Sequence, residues 1–170
     1  MHMLLRLRHG LISFSEKKVM EKTSAQKTKT QAPAGYSTVC PYLVVPSVET
    51  TLEFLENVFH ADVKDSFKGK SGMVVHGEAR IGDTVIMIGR ANEKWPAQTC
   101  MLYVYVDQVE ETYQRALQFG ATSVMEPKDQ FYGNREAGVK DSQGNTWWIA
   151  RQVEEVSAEE LQRRLLEMDM

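Results

Sequence analysis

The feature that most constrains this chain is an internal repeat with a spacing of 61 to 62 residues. Residues 45–49 (VPSVE) match residues 106–110 (VDQVE), and residues 82–84 (GDT) match residues 144–146 (GNT). In each copy a strand-like run precedes a segment with helical periodicity, and further short strand-like runs follow it. The repeat therefore predicts an α+β fold made of two tandem β-α-β-β-β modules.

The first module is expected to contain one helix and four strands. Residues 38–45 form an apolar strand-like run ended by Pro46, and Ser47 is a suitable N-cap for a helix over residues 48–59. A short strand is predicted at residues 63–67. A hairpin over residues 73–80 and 84–89 follows, with Gly82 and Asp83 in its turn.

The second module repeats this order. A strand is predicted at residues 99–106, Asp107 is the expected helix cap, and the helix over residues 109–119 ends at Gly120. Strands are then predicted at residues 122–125, 137–140 and 146–149, the last two joined by a tight turn rich in polar residues.

Two adjacent tryptophans lie on the last predicted strand. Side chains of a strand alternate between its two faces, so Trp147 and Trp148 must point in opposite directions. One is expected to enter a helix-covered core, and the other to lie on the opposite face of the sheet. We expect that second face to carry the function.

The two ends of the chain differ from the modules. Residues 1–35 hold seven basic and two acidic side chains, a net charge of +5, and are expected to be a disordered tail. This tail is either an organelle-targeting segment, a loose extension, or sequence upstream of a true start at Met20. Residues 153–170 predict a C-terminal helix capped by Ser157, which packs on its own domain or on a twin subunit.

Charge and composition argue against some classes of binding partner and indicate a cellular location. The total charge of −3 leaves −8 for residues 36–170, which argues against nucleic acid because phosphate binding needs clustered Lys and Arg. No apolar run approaches the roughly 20 residues that cross a bilayer, so no membrane partner is expected. Cys40 and Cys100 lie in apolar runs without metal or redox spacing, which favours reduced thiols and a cytoplasmic location.

Four segments carry a resemblance to a known family: PYLVVPSVETTLEFLENVF, HGEARIGDTVIMIG, VYVDQVEETYQRALQFGAT and FYGNREAGVKDSQGNTWWIA. Over about residues 36–152 the chain resembles the vicinal oxygen chelate superfamily, which includes glyoxalase I, extradiol dioxygenases and bleomycin-resistance proteins. Its HxExRIGD and YGxR pieces look closest to the PhnB-like and bleomycin-resistance branch. The resemblance implies that modules 37–90 and 99–151 form a curled mixed β-sheet cup, with helices outside and a ligand inside.

Metal-dependent members of that superfamily hold a divalent ion with four strand side chains. Carried over one at a time, these positions fall on Cys40, Met101, Trp148 and Ile86, or on Met87 if the last register slips by one residue. Hard divalent ions prefer oxygen and imidazole nitrogen, which none of these side chains supplies. The resemblance therefore implies a cup without a metal or another cofactor.

His76 and Glu78 are the candidates for acid–base chemistry. They lie two residues apart on one predicted strand and therefore share a face. The pair is suited to proton transfer or to a displaced metal site. Alternatively, both side chains face solvent or the mouth of the cup on a half-buried strand.

Aromatic side chains are the candidates for ligand binding. By strand parity Tyr42, Tyr103, Tyr105 and Trp148 are expected to line the cup, with Tyr132 and Arg135 in the loop over its rim. Aromatic walls with a few polar groups suit a planar ligand, and an arginine pairs with an anion or stacks on a ring. Alternatively, the aromatics pack across strands in a closed dimer and Arg135 is a solvated loop residue.

These observations favour a metal-independent protein that binds a planar or aromatic small molecule, with a homodimer expected from the resemblance. The alternative is a glyoxalase-like lyase or isomerase that uses Glu78 and His76 or a displaced metal. A third possibility is an interaction module whose cup is filled by its own side chains.

Overall fold

The computed structural model of the chain describes residues 32–168. The predictions for the basic tail up to residue 31, including Met20 as a start, lie outside the described residues. The first module contains one helix between its first and second strands. Its elements are β1 (Tyr42–Val45), α1 (Val48–Phe59), β2 (Asp62–Lys68), β3 (Val74–Ile81) and β4 (Thr84–Arg90).

The second module has the same order and is followed by a C-terminal helix. Its elements are β5 (Met101–Tyr105), α2 (Val109–Gln118), β6 (Thr122–Asp129), β7 (Asn134–Lys140), β8 (Thr146–Gln152) and, beyond it, α3 (Ala158–Met168). The four strands of each module form one mixed sheet, in the orders β1-β4-β3-β2 and β5-β8-β7-β6. In both sheets the first and last strands of the module are parallel and the other pairs are antiparallel. The predicted fold class is confirmed.

Helix α1 has the bounds and the cap that its sequence predicts. The Thr50 amide donates to the Ser47 hydroxyl, and Glu49 lies in the first turn, where a negative charge is favoured by the helix dipole. The predicted cap of α2 is wrong: the N-cap is Gln108 rather than Asp107, and its side chain makes no capping hydrogen bond. Gly120 follows α2 with a φ of +81°, as expected of a residue that ends a helix.

Some strand lengths differ from the prediction. Strand β1 begins at Tyr42 rather than at residue 38, because Pro41 lacks an amide donor and Cys40 donates its thiol back to the Ser37 carbonyl. Strand β6 extends to Asp129, four residues beyond its predicted end, and carries bulges between Ser123 and Lys128. A bulged edge strand shows weak periodicity, which explains the short prediction.

The two modules share one core. Trp147 is fully buried, and its ring centroid lies 5.7 Å from that of Phe54 and 5.4 Å from that of Phe59, both on α1. Arg115 of α2 donates two hydrogen bonds to the Val58 carbonyl of α1, at 3.1 and 2.9 Å. The last strand of the second module therefore packs on the helix of the first.

The turn between β7 and β8 is organised by a buried carboxylate. Asp141 is 8 % exposed and accepts hydrogen bonds from the amides of Gln143 and Asn145, the Asn145 side chain and the Trp147 indole. Gly144 takes a φ of +90° in this turn. The aspartate, glycine and asparagine of the motif therefore fix the turn and hold Trp147 in the core.

The C-terminal helix α3 begins after Ser157, whose hydroxyl accepts from the Glu160 amide at 3.2 Å. None of its residues is buried, and Leu165 and Leu166 are exposed. It is attached instead through Arg164, which donates to the Phe131 carbonyl and pairs with Glu154. Among residues 32–168, no helix is both long and apolar enough to cross a membrane.

Candidate functional site

Each sheet has an open face, the face turned away from α1 and α2. On the first sheet Tyr42 is opposite Met87, which is opposite Glu78, so the three side chains share this face. On the second sheet Tyr103 is opposite Trp148, and Tyr105 is in the same row as Glu136. The prediction that Trp147 and Trp148 point to opposite faces is confirmed, since Trp147 is in the core and Trp148 is partly exposed.

The repeat places different chemistry at equivalent positions of the two open faces. Tyr42 corresponds to Tyr103, because each lies on the first strand opposite the matched residues Met87 and Trp148. One row further along, the third strand carries His76 in the first module and Glu136 in the second. Each first-strand tyrosine thus lies near an ionisable side chain, an imidazole in one module and a carboxyl group in the other.

On the first module a series of polar contacts connects Tyr36, Glu78, His76 and Tyr42. This residue is 8 % exposed; it accepts a hydrogen bond from the Tyr36 hydroxyl, and His76 Nε2 lies 3.3 Å from its Oε1. His76 Nδ1 lies 3.5 Å from the Tyr42 hydroxyl. The hydrogen bond to Glu78 raises the pKa of the Tyr36 hydroxyl.

On the second module a buried carboxyl group holds two tyrosine hydroxyls. Glu136 is 2 % exposed and accepts from Tyr103 on one oxygen and from Tyr132, at 2.6 Å, on the other. The side-chain amide of Asn134 donates to the Tyr103 hydroxyl at 2.9 Å. Burial raises the pKa of the Glu136 carboxyl group above its ordinary value, and burial also raises the pKa of Tyr132.

Two concave regions adjoin these side chains. A cavity of about 580 Å³ lies over the first open face, where Tyr42, Val75 and Trp95 form apolar walls and Gln98 supplies a polar group. A second groove, of about 410 Å³, is lined by residues of both first strands, Tyr42 and Leu43 on one side and Met101 to Tyr103 on the other. Both volumes lie within the roughly 300–1,000 Å³ typical of small-molecule sites.

Two glycines allow aromatic rings to lie flat on the open faces. A Cβ atom added at Gly89 would meet the Tyr42 hydroxyl at 2.6 Å, and one at Gly138 would meet the Trp148 ring at 3.0 Å. In both sheets an aromatic side chain thus crosses the neighbouring strand at a glycine, where that strand has no side chain of its own. These two rings are held as parts of the surface by the strand beneath them.

The four positions that the superfamily uses for metal ligands do not fit a metal. The resemblance places one of them on Ile86, and this is wrong: Ile86 is 3 % exposed in the core opposite Ala79. Met87, one residue along, takes the open-face position. Thioether, thiol and indole groups then occupy the four positions, on Cys40, Met87, Met101 and Trp148. Within residues 32–168 no group of three or more His, Cys, Asp and Glu side chains is arranged to hold a metal ion.

The structure places most of the predicted ligand-binding residues together but not Arg135. Tyr103, Tyr105 and Tyr132 gather around Glu136, with Trp148 beside them, and the Tyr103 and Tyr105 ring centroids are 5.3 Å apart. The Arg135 side chain is on the helix side of β7, where it pairs with Glu110 of α2 and with Asp129 of β6. It is therefore a link between elements rather than a group at the rim.

Sequence reasoning missed two residues of these faces, Glu136 and Trp95. Glu136 has the strand parity of the open face, which was the available signal, but its burial depends on the covering tyrosines. Trp95 lies in the linker between the modules, where Asn92 accepts from the amides of Lys94 and Trp95 and so fixes a turn. That turn brings the indole to the wall of the cavity.

Two modules with equivalent, partly aromatic open faces define a class of small paired-module α+β proteins. The sequence profile described as the Glyoxalase/Bleomycin resistance protein/Dioxygenase superfamily matches residues 36–149. The chain therefore belongs to this superfamily.

The chain is also similar to individual proteins and solved structures. An uncharacterized protein of Mycobacterium bovis is 29% identical over 137 residues, which span 72% of this chain and 88% of the relative. The structure of TioX from Micromonospora sp. ML1 is similar with a TM-score of 0.59 and 22% identity, over 67% of this chain and 97% of that chain. A glyoxalase/bleomycin resistance protein/dioxygenase family enzyme from Burkholderia phytofirmans PsJN gives a TM-score of 0.55 and 17% identity, over 64% and 93%. The two structural similarities show the fold.

Proposed function

We propose that this protein is a metal-independent binder of a planar or aromatic small molecule, which it takes up on the open faces of its sheets. The observation that carries the proposal is the replacement of metal-binding side chains by aromatic and sulfur groups on a concave surface. Tyr42 is 56 % exposed, Tyr105 66 % and Tyr103 44 %, far more than is usual for rings that serve only as core. Exposed rings grouped around a cavity are typical of ligand sites.

The sequence pieces of the PhnB-like and bleomycin-resistance branch support the same proposal. In the HGEARIGD piece, His76, Glu78 and Arg80 lie on the open face, while Gly82 and Asp83 form the hairpin turn. Arg80 donates to the Gly35 carbonyl, which anchors the segment that carries Tyr36. The piece therefore shapes one wall of the proposed site, and we propose that the chain belongs to this branch.

Calorimetric titration with naphthalenemethanol, a neutral fused two-ring probe, tests the binding. We expect saturable binding to the full chain, weakened by about tenfold in Tyr42→Leu or Tyr103→Leu, because each substitution removes a ring from the surface. Phe119→Leu is the matched control, since Phe119 is an exposed aromatic at the end of α2, away from the open faces. Equal weakening by the control, or no binding at all, would contradict the proposal.

The same titration after treatment with a chelator tests metal independence. We expect the affinity for naphthalenemethanol to be unchanged, because no step of the proposed binding uses an ion. Loss of binding on chelation, restored by one divalent metal, would replace this proposal by a metal-dependent one.

We also propose that two copies associate as a homodimer in the cytoplasm. Large apolar side chains outside the proposed ligand-binding set, such as Phe67 and Met101, are exposed, as is common at interaction sites. Cys40 and Cys100 are both free, in keeping with a reducing compartment. Light scattering during size-exclusion chromatography tests the dimer, and a monomer mass at working concentrations would contradict it.

The contacts among Tyr42, His76 and Glu78 favour a second candidate, a lyase or isomerase that uses proton transfer. A carboxylate that accepts from one imidazole nitrogen directs the other toward the tyrosine hydroxyl, an arrangement suited to general acid–base work. The hemithioacetal of methylglyoxal and glutathione is a suitable first substrate. Turnover that is lost in both Glu78→Gln and His76→Asn would support this candidate, and turnover unaffected by either would contradict it.

A further inference from the structure

Glu136 is a buried carboxyl group without a positively charged partner. It is 2 % exposed, and no Lys, Arg or His side chain in residues 32–168 forms an ion pair with it. Its cross-strand neighbour Lys128 is exposed and forms no hydrogen bond or ion pair with it, and Arg135 next to it points to the helix side. Buried carboxylates are usually paired because desolvation of a lone charge is unfavourable.

The two tyrosines direct their hydrogens inward, toward this carboxyl group. A phenol has one hydrogen to donate, and Tyr103 and Tyr132 both donate it to Glu136. Their oxygens can still accept hydrogen bonds through their lone pairs. On Tyr103 one lone pair already accepts from the side-chain amide of Asn134. The surface above Glu136 therefore presents hydrogen-bond acceptors backed by a negative charge.

Aromatic rings surround these acceptors. The Tyr105 ring lies 5.3 Å from that of Tyr103, and the Trp148 ring covers Gly138 in the adjoining row. The faces of aromatic rings carry partial negative charge and attract cations. The net charge of −8 over residues 36–170 adds a long-range field of the same sign.

From this arrangement we propose that the open face of the second module selects ligands whose aromatic ring carries a positively charged hydrogen-bond donor, such as a protonated amine. The ammonium group lies over the rings of Tyr103 and Tyr105 and donates to the Tyr132 oxygen, with the Glu136 carboxylate below it. This inference rests on the proposed binding function and specifies the charge of the ligand.

Three probes with the same bicyclic ring test the charge selection. Naphthylmethylamine is a cation near neutral pH, naphthalenemethanol is neutral, and naphthoate is an anion. We expect calorimetry on the full chain to show the amine binding about tenfold more tightly than the alcohol, and the anion more weakly than both. Chemical shift changes of the backbone amides in β7 and β8 are expected to place the amine on this face.

Substitutions at the site separate charge from shape. Glu136→Gln removes the negative charge with little change in volume, so the amine is expected to lose its advantage over the alcohol. Tyr132→Phe removes the hydroxyl that serves as the proposed acceptor and keeps the ring, so it is expected to weaken binding of the amine selectively. It provides the test if Glu136→Gln fails to fold. Glu56→Gln, an exposed change of equal charge on α1, is the matched control.

The pH dependence supplies a second readout. The carboxyl group of Glu136, whose pKa burial raises, is expected to lose its charge on acidification while the amine remains protonated. The groups that face it are Tyr103, Tyr132, Asn134 and the cross-strand Lys128. Burial raises the pKa of the Tyr132 hydroxyl, so that hydroxyl stays protonated on acidification. The ratio of the affinities for the amine and the alcohol is therefore expected to decrease as the pH is lowered in the wild type. In Glu136→Gln this ratio is expected not to change with pH.

The outcomes distinguish this inference from the proposed function. If the alcohol binds as tightly as the amine, or if Glu136→Gln and Glu56→Gln weaken the amine equally, the charge selection is wrong while small-molecule binding stands. If the anion binds most tightly, the inference is also wrong. If none of the three probes binds, the proposed function itself is contradicted.

Discussion

His76 and Glu136 occupy equivalent positions in the two modules, and their surroundings give them different properties. His76 lies between Tyr42 and Glu78 and is flanked by Phe67, whose ring centroid is 6.1 Å away. Glu136 is covered by two tyrosines and lies deeper. An imidazole in a carboxylate-bearing face suits proton transfer, whereas a carboxyl group under aromatic rings suits charge recognition.

Burial of Glu136 makes the stability of the protein depend on pH. Its folded-state pKa is raised by burial, so its contribution to stability is fully present below the unfolded-state pKa and is lost as pH rises through the folded-state pKa. Glu136→Gln removes this dependence. We expect the variant to gain stability relative to the wild type near neutral pH and to lose that gain in acid, measured by urea unfolding at several pH values. A difference between the two proteins that is independent of pH would contradict this assignment.

Asp141 is expected to be among the residues most sensitive to substitution. Four donors converge on its carboxylate, and one of them is the indole of the fully buried Trp147. Asp141→Ala leaves these donors without a partner and is expected to lower the free energy of unfolding by about 3 kcal/mol. Chemical denaturation measures the change. Ser142 is an exposed neighbour in the same turn, and Ser142→Ala is the control. An equal loss of stability in this control would contradict the role of the Asp141 carboxylate.

At the residue level, the sequence predicted the sheet face on which a side chain lies better than it predicted how deeply that side chain is buried. The opposite directions of Trp147 and Trp148 follow from strand alternation, which needs no knowledge of the neighbouring strands. The burial of Glu136 depends on Tyr132, which reaches it from the preceding loop, and on Tyr103, which reaches it from another strand. Such contacts between distant segments leave no local pattern in the sequence.

At the scale of elements, the helices were predicted closely and the edge strands less so. Helix α1 has a strong cap and buries seven of its residues on one side, so periodicity defines it. All seven residues of β2 are exposed in this structure, and its limits depend on pairing with β3. The register of β4 was ambiguous by one residue for the same reason, and pairing with β1 resolves it in favour of Met87 at the open face.

Helix α3 provides a test of how a surface element is attached. Arg164 joins it to the Phe131 carbonyl and to Glu154. In the described part of the chain the partners of Arg163 are Glu160 and Glu167, both within the helix. We expect Arg164→Ala to speed hydrogen exchange of α3 by about tenfold with a change in global stability below about 1 kcal/mol, because exposed ion pairs stabilise little. Arg163→Ala is the control, expected to leave the helix attached. Equal exchange rates in both variants would contradict the role of Arg164.

Acid provides an independent way to weaken the same attachment. Hydrogen bonds from Arg163 and Arg164 lower the pKa of Glu160 from 4.5 to about 2. The stabilising contribution of this carboxylate is therefore present above pH 4.5 and is lost as pH falls toward about 2. Exchange of the α3 amides, corrected for the intrinsic effect of pH, is expected to accelerate across this interval, and in Glu160→Gln it is expected to be fast throughout.

At the scale of the whole molecule, the two modules divide their surfaces between stability and binding. One side of each sheet is covered by helices, and there the modules meet through the contacts of Trp147 with α1. The other side is left open and carries the aromatic and ionisable groups. Substitutions of the exposed side chains on the open face are therefore expected to change binding with little effect on folding.

This division predicts that residues 36–152 unfold in one cooperative step. Phe59 belongs to the first module and contacts Trp147 of the second, so Phe59→Ala leaves a cavity shared by both and is expected to lower stability by about 3 kcal/mol. Hydrogen exchange of β3 and β8 should then accelerate by the same factor, because opening either module exposes the common core. Phe67→Ala, on the open face of the first module and 55 % exposed, is the control and should change neither rate appreciably. If Phe59→Ala accelerates exchange in β3 and leaves β8 protected, the modules fold independently, and the shared core does not couple them.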